Sequence, residues 1–267
     1  MSNESEKRNG GGSRIDIFIP AIEKDLGTLP YVIDSAKKYI QHPIDRIYVV
    51  SPDSVNIKSV CQRKGCTFVN ERTLLPITKA DIHYSSKNWD RSGWLYQQLL
   101  KLSGSKLGTQ ENYLVMDADT VLIRPHTFLI GRKPVFYCRK WSQEEYFRTY
   151  RKLMGKNKTS SSSFVAHYML FNKAKVEELK KTIAAKHGTH WYNAIIRSID
   201  KTNQFGFSEY ETYGNYIHST QPGQLIKRSA KNKSLHINAS QLSASQIDKL
   251  AKKYRSLSFH KRKCYVR

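Results

Sequence analysis

The first apolar run of the chain, Ile15-Asp16-Ile17-Phe18-Ile19-Pro20, is nearly continuous and stops at a proline, the pattern of a buried strand. Behind it, residues 29–40 carry apolar positions at helical spacing. The alternation then repeats. Arg46-Ile47-Tyr48-Val49-Val50 reads as a second strand ended by Ser51-Pro52-Asp53, residues 55–64 as a short helix, and Cys66-Thr67-Phe68-Val69-Asn70 as a third strand. Strand, helix, strand, helix, strand in this rhythm predicts a parallel sheet. Residues 89–102 follow as an amphipathic helix with its cap at Asp90 or Ser92. Tyr113-Leu114-Val115-Met116 is a buried strand that runs straight into Asp117-Ala118-Asp119.

Further on, residues 139–163 are aromatic, then basic, then Ser-rich, which predicts a helix and a loop over the carboxyl ends of the strands. Residues 164–200 return to strand and helix, and no internal repeat is visible. Residues 1–13, with the run Gly10-Gly11-Gly12, can bury nothing and are expected to be a disordered arm. Residues 227–267 hold twelve Lys or Arg and one acid, Asp248, and residues 243–254 can form an amphipathic helix. The expected organisation is an arm (1–13), one α/β domain (14–226) with a mostly parallel central sheet flanked by helices, and a basic helical C-terminal extension (227–267).

Composition narrows the class. A chain of 267 residues with 39% apolar residues can bury a full core, although its mean hydropathy is only −0.60. The formal charge of +23, from 45 Lys and Arg against 22 Asp and Glu, calls for a polyanionic neighbour: nucleic acid, anionic lipid or a phosphorylated substrate. No stretch approaches the roughly 20 apolar residues of a membrane span, and residues 1–13 lack the apolar centre of a signal peptide, so a cytoplasmic location is expected. Cys61, Cys66, Cys138 and Cys264 lack zinc-site spacing and are expected as free thiols.

The chemistry centres on the acidic pair. Ligands of open α/β sheets gather at the carboxyl ends of strands, and Asp117 and Asp119 stand there, between four apolar residues and the β-like Thr120-Val121-Leu122. In an extended chain their side chains would point to one side, and two close carboxylates repel unless a cation lies between them. Hard oxygen ligands favour Mg²⁺ or Mn²⁺. The alternative is a solvated turn at a strand end.

The segment 113–120, followed by Arg124-Pro125, resembles the metal-binding segment of GT-A fold glycosyltransferases of the bacterial polysaccharide-biosynthesis type. Three further stretches are similar in the same order: residues 91–102, residues 163–171 and Phe207-Ser208-Glu209-Tyr210-Glu211-Thr212-Tyr213-Gly214. The resemblance covers about residues 14–225. It implies a Rossmann-like GT-A domain, a divalent metal cofactor held by Asp117 and Asp119, and a nucleotide-sugar donor, expected to be UDP-linked. A saccharide, polyol or lipid-linked acceptor of cell-surface polysaccharide or glycolipid synthesis would receive the sugar. It also implies a third metal ligand, with His236 the candidate and His218 the alternative. The end of the first strand, Ile19, Pro20 and Ala21, would cradle base and ribose, with Asp53 and Asp117 as further contacts. Arg91 precedes a helix whose exposed N–H groups attract anions, so Arg91 with that helix start is expected on a phosphate, the alternative being an ordinary surface residue. His167 would lie at the acceptor.

Transfer with inversion needs a carboxylate base, for which Glu209 and Glu211 are candidates, with Tyr210 beside them facing the acceptor. The same segment also reads as a helix start with Ser208 as its cap. The basic extension would dock on an anionic membrane surface, placing the enzyme on the inner face of the membrane. Two rival classes remain. A nucleic-acid-binding protein would share the charge, but no helix-turn-helix, zinc-finger or RNA-recognition signature accompanies it. A metal-dependent nucleotidyltransferase would share the acidic pair, but Gly10-Gly11-Gly12 precedes the first strand, where a phosphate loop would follow it.

Overall fold

The structure, a computed structural model, describes residues 13–259, so the arm apart from Ser13, the run Lys261-Arg262-Lys263 and Cys264 lie outside the described residues. The first half alternates as its periodicity predicts: β1 (Ile15–Pro20), α1 (Leu29–Tyr39), β2 (Ile44–Ser51), α2 (Val55–Lys64) and β3 (Thr67–Asn70). Local chemistry sets the boundaries. The Ser54 hydroxyl accepts from Ile57 N at 3.0 Å to start α2, and Gly65 ends it at φ +59°, a conformation glycine adopts without a Cβ clash. A hairpin of β4 (Ser85–Ser86) and β5 (Trp89–Asp90) leads into α3 (Ser92–Ser103), where Arg91 occupies the cap position and Asp90 Oδ1 accepts from Ser92 N at 2.8 Å.

Then come β6 (Asn112–Met116), β7 (Thr120–Leu122), the hairpin β8 (Leu129–Ile130) and β9 (Lys133–Cys138), α4 (Glu144–Met154), β10 (Tyr168–Asn172), α5 (Lys173–His187), α6 (Trp191–Ser198) and α7 (Glu209–Thr220). Ser208 caps α7 by accepting from Glu211 N. The last described elements are β11 (Ile226–Ser229), β12 (Asn232–Leu235), α8 (Ala244–Ala251) and β13 (Ser256–Phe259). The helix expected in residues 243–254 is therefore present. Strands accompany it: β11 pairs with β9, while β13 pairs with β12 and β7.

The central sheet has the order β10-β6-β1-β2-β3, with β10 antiparallel at the edge and the other four strands parallel. The chain builds outward from β1 through β2 to β3, then returns to place β6 on the other side of β1. The strand order thus reverses between β1 and β6, the point at whose carboxyl ends open α/β sheets place a ligand crevice, and Asp117 leaves β6 there.

Strand alternation divides the core between the two faces of this sheet. Phe18, Tyr113, Val115, Met169 and Phe171 face a layer that includes α3, α5 and α7, whereas Ile17, Ile19, Val49, Leu114 and Met116 pack with α1 and α2. A smaller cluster joins Leu257 and Phe259 of β13 to Ile247 and Leu250 of α8. The three described cysteines are free thiols.

The α7 layer fits closely. A Cβ at Gly214 would stand 2.4 Å from Cγ of Phe164, so helix and loop approach to a distance only glycine permits. Replacing it overpacks a buried contact, and Gly214→Ala should cost about 1–3 kcal/mol even though alanine is the better helix former. A lower urea midpoint with unchanged slope is the expected result.

Candidate active site

Asp117 leaves β6 with its amide donating to His167 O at 2.9 Å, and Thr120 N closes a turn back to Asp117 O at 3.2 Å. The acidic pair therefore spans a turn, not the extended segment expected. The turn is held from below, where the Thr28 hydroxyl donates to Ala118 O at 2.9 Å. His167, with φ +68°, is a non-glycine residue in the left-handed region, and its Nδ1 lies 3.0 Å from Asp117 Oδ2. Ligand atoms of Asp117, Asp119 and His167 all lie within 4.8 Å of one another. Two carboxylates with one imidazole form a donor set that could hold a divalent cation.

On its other oxygen, Asp117 is gripped from the helical layer. Lys101 Nζ of α3 donates to Asp117 Oδ1 and to Glu209 Oε1, the latter at 2.7 Å, and the Tyr210 hydroxyl donates to Asp117 Oδ1 at 3.0 Å. Lys101 also lies over the Tyr210 ring, 4.6 Å from its centre. Lys101 is 3% exposed and Glu209 2% exposed, so these charges meet away from water. Burial disfavours the Lys101 ammonium, but Asp117 and Glu209 outweigh it and hold the group above its ordinary range. Burial likewise opposes ionisation of Asp117, yet Lys101 and His167 prevail and keep it below the usual carboxylate range. Glu209 is pushed up, by burial first.

A further acid faces this group. Asp25, in the turn after β1, is buried with Oδ2 accepting from Ile22 N at 3.0 Å. Burial, reinforced by Asp119 and Asp117, raises it from 3.8 to about 6. Of these four acids, Asp117 and Glu209 share one lysine. The local excess of negative charge, inside a chain of net +23, is what a divalent ion would relieve.

Several expected roles change. His236 is exposed in the bend after β12 and is not among the residues that converge; the imidazole whose ligand atom lies within 4.8 Å of those of Asp117 and Asp119 is that of His167, which was expected at the acceptor. His218 meets Thr159 Oγ1 at 2.7 Å near the end of α7. Tyr210, also expected at the acceptor, is buried on Asp117. Glu211 is fully buried and accepts from the Ser142 hydroxyl at 2.7 Å, the Ser163 hydroxyl, Phe164 N at 3.2 Å and Asn215 Nδ2 at 3.3 Å. So committed, it fastens to α7 both flanks of the segment that holds α4. Glu209 is tied to Lys101 in the same way.

Arg91 is a core residue, 0% exposed, with its guanidinium over Trp89 (4.4 Å) and Trp94 (4.1 Å) and Nε donating to Gln204 O at 3.0 Å. A phosphate does not reach such a position. Ile19 and Ala21 are buried, and Pro20 O accepts from Gln97 Nε2 at 3.4 Å, so this strand end is packed against the core and α3. Asp53 stays on the surface, paired with Lys58. Lys101 and Asp25 were missed. A lysine among the apolar positions of the helix 89–102 was the available signal for the first, and none marked Asp25. A cavity of about 330 Å³ lined by Lys37, Asp45 and Arg46 opens elsewhere, at the amino-terminal ends of β2 and β3.

Two measurements check this electrostatic account. Lys101→Met strands the buried Glu209 carboxylate and the half-buried Asp117 carboxylate and should cost about 3–5 kcal/mol in urea denaturation, with part of the loss recovered when Glu209→Gln is added. For Asp25 the folded state prefers the protonated acid, so its contribution to stability is complete below pH 3.8 and is lost as pH rises through about 6. In metal-free protein Asp25→Asn should therefore exceed the wild type by about 3 kcal/mol above neutral pH, and match it near pH 4.

In chain path, the protein is similar to the crystal structure of the galactosyltransferase LgtC in complex with donor and acceptor sugar analogs, with a TM-score of 0.49, 13% identity, and coverage of 92% of this chain and 87% of that one. Mouse xyloside xylosyltransferase 1 gives a TM-score of 0.48 at 12% identity, covering 95% of this chain and 99% of that one. For the WbbM bifunctional glycosyltransferase the values are 0.48 and 11%, with 92% of this chain and 46% of that one covered. No curated protein matches the chain in sequence. A family profile does match, over residues 14–256, and by it the chain belongs to the family of unknown function DUF6492.

Proposed function

We propose that the protein is a metal-dependent glycosyltransferase that moves a sugar from a nucleotide-sugar, expected to be UDP-linked, to a saccharide, polyol or lipid-linked acceptor of cell-surface polysaccharide or glycolipid synthesis. The convergence of Asp117, Asp119 and His167 at the switch point of a parallel sheet supports the reading. That crevice is where a nucleotide binds in this architecture, and the acidic turn would meet its diphosphate. When bound, a divalent ion there stabilises negative charge on a leaving diphosphate.

The chain's own residues supply the frame for that chemistry. Lys101 and Tyr210 fix one oxygen of Asp117, leaving Oδ2 turned toward His167. Thr28 fixes the turn between the two acids, so the side chain of Asp119 is presented from a braced backbone. Preorganisation of this kind lowers the cost of gathering like charges at the moment of reaction. The basic segment 227–267 gives an acceptor or donor phosphate its electrostatic attraction.

Thermal unfolding tests the reading. At a ligand concentration of about one hundred times Kd, UDP with Mn²⁺ should stabilise the protein by about 2.7 kcal/mol, raising Tm by roughly 5–10 °C for a domain of this size. Neither component alone should give the full shift, and Asp119→Ala should abolish it. A folded protein indifferent to UDP, GDP and CMP with metal, but binding DNA in a salt-dependent way that ignores Asp119, would favour the polyanion-binding alternative.

A further inference from the structure

Strand β13 reads Ser256-Leu257-Ser258-Phe259, and all four residues are buried. Leu257 and Phe259 pack with α8, as alternate apolar positions of a strand should. Ser256 and Ser258 occupy the other face, each 0% exposed, where a hydroxyl without a partner would be costly. Across from them β7 presents Thr120, also 0% exposed and in register with Ser258. Three buried hydroxyls thus stand beside the acidic turn, at positions where apolar side chains would need no partners.

Their hydrogen bonds form one chain that ends on Asp119. At its far end lies the wholly buried His126, with Nδ1 2.7 Å from Arg124 O and Nε2 3.1 Å from the Tyr168 hydroxyl. Burial holds this imidazole down, to about 4, so at neutral pH it carries a single proton. A carbonyl only accepts, which puts that proton on Nδ1 and leaves Nε2 to accept from Tyr168. With the Tyr168 proton so placed, Ser256, 3.4 Å away, gives its own to Asn232 Oδ1 at 2.8 Å. The Asn232 amide is thereby oriented, and its Nδ2 donates to Ser258 Oγ at 3.0 Å.

Two hydroxyls then remain, each with one proton to place. Ser258 Oγ lies 2.8 Å from Thr120 Oγ1 and 3.3 Å from Asn232 Oδ1, and Thr120 Oγ1 lies 3.2 Å from Asp119 Oδ1. A carboxylate accepts more strongly than a neutral oxygen, so the Thr120 proton goes to Asp119 and the Ser258 proton to Thr120, the nearer of its two acceptors. Every donor from Asn232 onward therefore points toward Asp119. The terminal torsion of an aspartate has only a broad preference of its own, and a directed donor on one oxygen narrows it.

We propose that Thr120 is a positioning residue for the metal site: oriented by Ser258 and Asn232, its hydroxyl fixes the carboxylate of Asp119 for a divalent ion. This role rests on the metal-dependent reading of the site. It also makes β12 and β13, which belong to the basic C-terminal segment, part of the frame of the site. Partners that hold a metal ligand in this way commonly govern metal affinity by about 10–100-fold.

The test is titration of the full chain with Mn²⁺ in the presence of UDP, followed by the electron paramagnetic resonance signal of the free ion, which needs no turnover. Thr120→Val keeps the branched shape without the hydroxyl and should weaken binding by about 10–100-fold, whereas Thr120→Ser restores the hydroxyl and should bind as wild type does. Ser258→Ala should weaken binding by about tenfold in the wild-type background and no further in Thr120→Val, because both act through one chain. Circular dichroism establishes which variants fold, and if Thr120→Val does not, Ser258→Ala decides. Unchanged affinity in folded Thr120→Val or folded Ser258→Ala overturns the proposal. Equal losses in Thr120→Ser and Thr120→Val also overturn it, in favour of packing at this position. Wild-type protein that binds no Mn²⁺ overturns the metal-dependent reading and this role with it, so wild type alone separates that failure from the others.

Discussion

One ammonium group, Nζ of Lys101, lies between two carboxylates away from water, and the crevice is organised around it. Its partners come from three elements, since Lys101 belongs to α3, Asp117 follows β6 and Glu209 opens α7. Each charge would be costly to bury alone, and together they form a group whose members cannot be removed singly. Lys101 thus ties α7 to α3 and to the turn after β6. Glu211 in turn collects donors from Ser142, Ser163, Phe164 and Asn215, and so holds both flanks of the segment that carries α4 against α7.

The same group explains how a chain of net +23 presents a negative crevice. Asp25, Asp117, Asp119 and Glu209 gather at one end of the sheet, and only Lys101 is buried among them. A polyanion attracted by the outer surface would meet this acidic end bare and be repelled; accompanied by a divalent ion it would be accepted. That discrimination suits the proposed metal-bound nucleotide-sugar, and it gives the opposed signs of surface and site a common purpose.

Much of the fold was legible because it rests on local rules. The runs 15–20, 113–116 and 55–64 became strand, strand and helix at or within a residue of their expected bounds, since buried parallel strands and a Ser-capped helix have one-dimensional signatures. Ser208 also capped α7 as its spacing suggested. The strands β11 and β13 were not legible, because each is only four residues long and their pairing with β9 and β7 is a long-range event.

For the site, sequence alone determined that two acids stand at the carboxyl end of a buried strand, which follows from an apolar run ending in Asp117-Ala118-Asp119. It could not decide what surrounds them. Arg91 was offered to a phosphate because it precedes a helix, but three aromatic rings enclose it in the core. His167, and not His236, meets Asp117, and Glu209 and Glu211 are hydrogen-bonded to Lys101 and Phe164, through partners some 50 to 110 residues away in sequence. Periodicity specifies which face of an element a residue occupies; only packing of one element against another specifies which charges then share a space, and with them the chemistry.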